Sequence, residues 1–324
     1  MEVLITGGAG FLGMKLARAL LARNTVADAD GKQQAIARIV LLDRSAPQGL
    51  TDPRISFIEG DVADAAVIAR ALTPSINSVF HLAAVVSGEA EADFDLGMRI
   101  NLDATRFLLE QARRNGNRPR FVFTSSVAAF GGELPAQVLD STAPTPQGSY
   151  GAQKVIGELL VSDYSRRRFI DGRSIRLPTI TVRPGKANKA ASSFASGIIR
   201  EPLNGVEAIC PVPPETKVWA MSPRSAITNL VQAHEISASD VGIGGAISLP
   251  GLATTAGEMV AALARVAGDD VARRVRWEKD DAITRLVGSW PGSFLTPRAD
   301  RLGFVRDASF DDVVRAYIEE ELKA

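Results

Sequence analysis

The stretch Glu2-Val-Leu-Ile-Thr-Gly-Gly-Ala-Gly-Phe-Leu-Gly13 decides the fold. A short apolar run stops at glycines, which stand at positions 7, 10 and 13. Apolar residues then recur at helical spacing through Phe11, Leu12, Leu16, Ala19 and Leu20. Strand, tight turn and helix are the reading. Gly7 permits the turn out of the strand, Gly10 lets backbone approach a pyrophosphate, and Gly13 lets helix and strand pack closely. The helix start, at Phe11 and Leu12, offers N–H groups and a partial positive charge to phosphates.

Outward from there, Arg38-Ile-Val-Leu-Leu42 is the second strand and Asp43 ends it. Thr25 to Ala37 is polar and Asp/Gly-rich and reads as a surface loop. Ile55–Ile58, Ser78–Leu82, Arg120–Thr124 and Ser174–Val182 read as further strands, with helices over Asp64–Leu72 and Met98–Arg114. Alternating strands and helices imply an α/β fold, a Rossmann-type doubly wound parallel sheet with its ligand at the carboxyl ends of the strands. Past Pro184 the rhythm weakens. Pro211 to Pro214 reads as a rigid loop, and helices are expected over Pro223–Glu235, Ala256–Ala267 and Phe310–Leu322. The expected division is a dinucleotide-binding domain over 1–184 that carries the catalytic pair, and a smaller substrate lobe over 185–324. The chain is expected to cross back between them.

The bulk numbers narrow the function. The 324 residues are 46% apolar and 23% charged, ordinary for a soluble globular protein. Lys+Arg and Asp+Glu both number 37, so no global basic field draws the chain to nucleic acid or a membrane surface. No apolar run approaches the ~20 residues of a membrane helix. One cysteine, Cys210, cannot form an internal disulfide, which fits a cytoplasmic setting. A secretory leader is not expected, because Met1 to Thr6 already reads as a core strand.

Asp43 can bond both hydroxyls of an adenine ribose and repel a 2′-phosphate, which favours NAD over NADP. Its distance from Gly13 exceeds the usual ~20 residues, an excess that the 25–37 segment explains. The adjacent Arg44 is the counter-argument, since it could pair with a 2′-phosphate. Asp61, followed by Val62, could accept from the adenine amino group or cap the next helix. Leu82, Ala83 and Ala84 offer small backbone surface to the cofactor. His81 reads as a packed strand residue rather than a catalyst. Tyr150 and Lys154 stand four apart, so a helix would put them on one face. A tyrosine of pKa about 10 is a poor base until a nearby ammonium favours its phenolate. Tyr150 would then take the alcohol proton, while Lys154 could also hold the nicotinamide ribose. A hydroxyl from Ser126 or Ser125 would fix the substrate oxygen. No metal is expected.

These residues, in this order, resemble the extended short-chain dehydrogenase/reductase family over essentially the whole chain. The matching positions are Thr6 to Gly13, Asp43, Asp61, His81 to Ala84, Asn101, Phe123 to Gly131, Tyr150 and Lys154. The resemblance makes Ser126 the partner of Tyr150 and Asn101 a helix residue that supports the site. The chain departs from the nucleotide-sugar members at Phe130, at Leu177-Pro-Thr-Ile-Thr-Val-Arg-Pro-Gly185 and at Ala220-Met-Ser-Pro-Arg-Ser-Ala226. Instead, Arg183, Lys186 and the Ser192–Gly197 segment gather cations and hydroxyls suited to a small anion. Ser87 could contact sugar-like hydroxyls, and Ser192 joins the substrate set. What the resemblance implies is oxidation of the C2 hydroxyl of a short sugar acid, D-erythronate, to its 2-oxo acid with NAD. A nucleoside-diphosphate-sugar epimerase or dehydratase with retained NAD is the alternative, and a non-catalytic NAD-binding scaffold is a third. A homodimer through helices near 101–114 and 150–168 is expected.

Overall fold

The opening strand, β1 (Glu2–Thr6), is fully buried from Val3 to Ile5. Val3 and Ile5 enter one core and Leu4 the other, the two-residue alternation of a strand covered on both faces. In the computed structural model, which describes residues 1–185, 190–242 and 245–322, β1 lies between β4 (Arg38–Asp43) and β6 (Ile76–His81). β5 (Ile55–Glu59) pairs beyond β4, and β7 (Arg120–Ser126) and β8 (Asp171–Leu177) continue beyond β6. β12 (Ile247–Ser248), from far along the chain, joins the edge at β8. The result is one parallel seven-stranded sheet in the order β12-β8-β7-β6-β1-β4-β5.

Helices α1 (Phe11–Arg23) and α8 (Pro223–Glu235) cover one face. Helices α2 (Ala65–Ala71), α5 (Ala104–Asn115) and α6 (Ser149–Arg166) cover the other. The doubly wound α/β fold expected from the sequence is therefore the fold observed. Short helices α3 (Ser87–Ala92) and α4 (Phe94–Gly97) lead from β6 towards α5.

Beyond the two cores on the faces of the sheet, a second packing region, with its own apolar core, lies beside it. It is framed by β9 (Thr179–Ile180), β11 (Lys217–Met221) and β13 (Leu252–Thr255), with β10 (Ala208–Cys210) paired to β14 (Val275–Trp277). Helices α7 (Ser193–Leu203), α10 (Ala256–Ala267) and α14 (Phe310–Tyr317) pack into it. Shorter helices α9 (Ala238–Val241), α11 (Asp269–Ala272), α12 (Asp281–Gly288) and α13 (Pro297–Arg301) complete the chain.

Three local readings are corrected. The segment over 25–37 holds a hairpin, β2 (Thr25–Ala27) with β3 (Gln33–Ala35), rather than a plain loop. Glu235 of α8 secures it by accepting from the Ala27 amide at 3.0 Å. Ser174–Val182 is not one strand: it splits at Pro178, and β9 leaves for the smaller sheet, where it pairs with β11. The helix expected over Met98–Arg114 opens as a wide π-helical turn, Met98–Asp103, before α5 begins.

Candidate active site

A cavity of about 600 Å³ opens at the carboxyl ends of the strands. Its floor is the turn after β1. Gly7 has φ +68°, and a Cβ there would stand 3.0 Å from the Ala83 amide nitrogen. A Cβ on Gly13 would stand 2.2 Å from the Gly7 carbonyl oxygen, so the helix can lie this close only without a side chain. Gly10 precedes α1, and no side chain caps that helix start. The first-turn N–H groups are thus left for an anion. Asp43 closes β4 and accepts from the Ala9 amide at 3.0 Å, tying the strand end to the glycine turn. Gly7, Gly10, Phe11, Leu12, Gly13, Asp43, Asp61, Val62, Leu82, Ala83 and Ala84 all line the cavity. This cradle of uncapped amides, close backbone and a strand-end carboxylate fits a dinucleotide. Asp61 does not cap α2, since Asp64 does so; Asp61 accepts instead from Arg99 at 2.7 Å and from the Ala63 amide at 2.8 Å.

The other wall carries the reactive groups. Tyr150 and Lys154 share one face of α6, with the Lys154 ammonium 5.7 Å from the Tyr150 ring centre. Ser126, at the end of β7, faces Tyr150 in the same cavity, and its hydroxyl is one of the influences that lower the Tyr150 phenol. Its own oxygen accepts from the Ala128 amide at 3.1 Å, which leaves its proton to donate. Lys154 Nζ donates to the Thr124 carbonyl at 2.8 Å. Burial pushes the Tyr150 phenol up to about 12, against the lowering by the Ser126 hydroxyl and the charge of Arg183. Burial thus outweighs the lowering expected from Lys154, and Arg183 is the cation that opposes it. Burial also lowers Lys154 to about 8. Ser125 lines the same wall.

Ser87, Arg183 and Ser192 line the cavity too. Lys186 lies outside the described residues. Asn101 does not line the cavity. It sits in the π-helical turn, accepts from the Val85 amide at 2.9 Å and donates to Gln153 at 2.7 Å, so it positions its neighbours. His81 is buried between Thr6 and Thr105, at 2.7 and 2.9 Å, and desolvation lowers it to about 3, so it stays neutral. Among the lining residues not singled out from the sequence are Arg200 and Trp290. Arg200 donates to the Arg183 carbonyl at 2.8 Å. Neither carries a local motif; they arrive from α7 and from the turn after α12.

The family model of NAD-dependent epimerases and dehydratases matches residues 3–219, from the glycine turn through the Tyr/Lys helix and into the second packing region. This chain belongs to that family. Within it, the chain is 59% identical to D-erythronate dehydrogenase of Cupriavidus necator, over 99% of this chain and 98% of that protein. It is 43% identical to D-erythronate dehydrogenase of Haemophilus influenzae, over 99% of this chain and all of that protein. A crystal structure described as the nucleoside-diphosphate-sugar epimerase from Agrobacterium tumefaciens is 42% identical, with a TM-score of 0.92 over all of this chain and 95% of that one. In this family member, among the described residues, no helix is long and apolar enough to cross a membrane. Among the same residues no group of acidic, His or Cys side chains could hold a metal ion.

Proposed function

We propose that the chain is an NAD-dependent dehydrogenase that oxidises the C2 hydroxyl of a short sugar acid, D-erythronate, to 2-oxo-D-erythronate. The observation that carries this reading is the meeting, in one cavity, of Tyr150, Ser126 and Lys154 with two arginines, Arg183 and, behind it, Arg200, which pairs with Glu201. The first set removes a proton from an alcohol; the second suits a carboxylate beside it. Two near-full-length relatives, each called D-erythronate dehydrogenase, name the acid.

In this reading Ser126 holds the C2 oxygen and Tyr150 Oη takes its proton. Arg183 favours the phenolate that burial opposes, and the Lys154 ammonium on the same helix face adds to this when charged. When bound, NAD supplies the acceptor for the hydride that C2 gives up. Phe11, Leu12 and Gly13 offer their amides to its phosphates, Asp43 takes the ribose hydroxyls, and Asp61 with Val62 flanks the adenine. That Asp43 selects NAD over NADP is part of the proposal. Arg183 grips the substrate carboxylate, and Ser87 and Ser192 contact its hydroxyls. We also place residues 1–184 in a cofactor domain and 185–324 in a substrate lobe, in a cytoplasmic protein. A homodimer would form through α5 and α6, where Leu159 is 66% exposed and Ile156 40%. Leu159→Glu should then give monomer by gel filtration, and an unchanged elution position would remove α6 from the interface.

The test is NADH formation by the purified protein with D-erythronate, with L-threonate, UDP-glucose and NADP beside it. NADH with D-erythronate, lost in Tyr150→Phe by about 10²–10⁴-fold in kcat, is the expected result. The epimerase called by that name among the solved structures keeps a second reading open. Interconversion of a nucleotide sugar with no net NADH would establish that reading instead.

A further inference from the structure

The last three residues of β7 each engage a different turn of α6. Ser126 faces Tyr150 in the cavity. The Thr124 carbonyl accepts from Lys154 at 2.8 Å, and Ser125 Oγ donates to Glu158 Oε1 at 2.5 Å. Tyr150, Lys154 and Glu158 stand at i, i+4 and i+8, on one helix face. Glu158 is 5% exposed. It accepts two more bonds, from Arg176 Nε at 2.8 Å and from Arg176 Nη2 at 2.7 Å. The Arg176 guanidinium lies 4.7 Å from the Phe130 ring centre. The proton transfer described above uses neither Glu158 nor Arg176. Apolar side chains of similar volume would often serve stability as well as a buried ion pair, so the pair invites a functional account.

Building on the reading of Tyr150 and Lys154 given above, we propose that Glu158 is a positioning residue for the reaction: it locks α6 in register on the end of β7 and sets a negative charge one turn behind Lys154, so that the buried ammonium keeps its charge. The surroundings of Lys154 leave this task to Glu158. Its Nζ lies 4.9 Å from the Phe123 ring centre, an apolar setting. Burial lowers its pKa to about 8, and the charge of Glu158 is what opposes that fall. The other ionisable groups facing it are Tyr150 on the same helix and His81 of β6, which stays neutral; Arg176 of β8 is held in its pair with Glu158. An ammonium is charged below its pKa, so a further fall narrows the range of activity from the alkaline side. Loss of Glu158 also removes the carboxylate that Arg176 pairs with.

Glu158→Gln keeps the shape and removes the charge. Two readouts apply. The first is the pH dependence of Lys154 acylation by dilute acetic anhydride in the cofactor-free protein, read by mass spectrometry. The second is the alkaline limb of kcat with NAD and D-erythronate. Both midpoints should fall by about one unit in Glu158→Gln, and Glu158→Asp should bring them back. The double variant Glu158→Gln, Arg176→Met removes both charges together; it should fold if the single variant does not. Midpoints equal to wild type in a folded, charge-free variant would overturn the proposal. Lys154→Met serves as the control. Full turnover in Lys154→Met would overturn the role of Lys154 itself, whereas the acylation midpoint would still report whether Glu158 sets its charge.

Discussion

Arg183 sits where two demands meet. Burial and the charge of Arg200 press its pKa down, while Tyr150 raises it. A guanidinium so placed gains from a carboxylate, whose charge offsets both. Arg183→Ala should therefore raise KM for the acid about 10- to 100-fold, since a hydrogen bond to a charged group contributes about 1.5–3 kcal/mol. Initial rates against D-erythronate concentration measure this, and an unchanged KM would release Arg183 from the carboxylate. Trp290 sets a different limit. With Val127, Thr179 and Ser192 it lines both the main cavity and a void of about 10 Å³ that reaches Lys217 and Trp219. Trp290→Ala should join the two spaces and admit five- and six-carbon sugar acids. The preference for the four-carbon acid, as a ratio of kcat/KM values, should fall about 10- to 200-fold, the range that one misfitted group can carry. A constant ratio would mean that Trp290 does not set chain length.

At the scale of elements, the glycine turn is the most exacting piece. Gly13→Ala would push a methyl to 2.2 Å from the Gly7 carbonyl oxygen, and backbone would have to move. NADH binding, followed by fluorescence titration, should weaken at least about tenfold. The turn was legible because its chemistry is local: a glycine is needed where a Cβ has no room, and the sequence shows the glycine. β1, β4 and α8 were legible for a similar reason, since each shows its apolar period or its flanking residues directly. The hairpin β2–β3 was not, because Thr25 to Ala35 is short and polar and is held by Glu235 from 200 residues away. The start of α7 was hidden by Ala191-Ser-Ser, and its last turn holds Pro202, which sequence reasoning counts against a helix. Tyr150 and Lys154 were singled out through motif and order; the choice of Ser126 over Ser125, and Asn101, came through resemblance. Arg200 and Trp290 have no motif, and only the second packing region brings them to the cavity.

Across the whole molecule, the sheet has a reactive end and a tethered end, at opposite ends of its strands. The cavity occupies the carboxyl ends of the strands. At the amino ends, Asp171 of β8 lies between Arg120 and Arg173, at 3.2 and 2.8 Å. Arg120 Nη1 donates to the His234 carbonyl at 2.8 Å, and Arg173 Nη2 to the Ile236 carbonyl at 2.5 Å. Two cations thus cap the end of α8, where free carbonyls and the helix dipole favour them. One carboxylate makes that possible by neutralising part of their charge. Asp171→Asn keeps the size but leaves both buried guanidinium groups without a counter-charge, a loss of about 3–5 kcal/mol. Thermal unfolding should show a Tm lower by on the order of 10 °C. The affinity for NADH should stay within about twofold, because the tether and the cofactor cradle lie at opposite ends of the strands and independent distant sites add with little coupling. A weakened NADH affinity at unchanged Tm would reverse that assignment and make the Asp171 cluster part of the site's support rather than of the fold's.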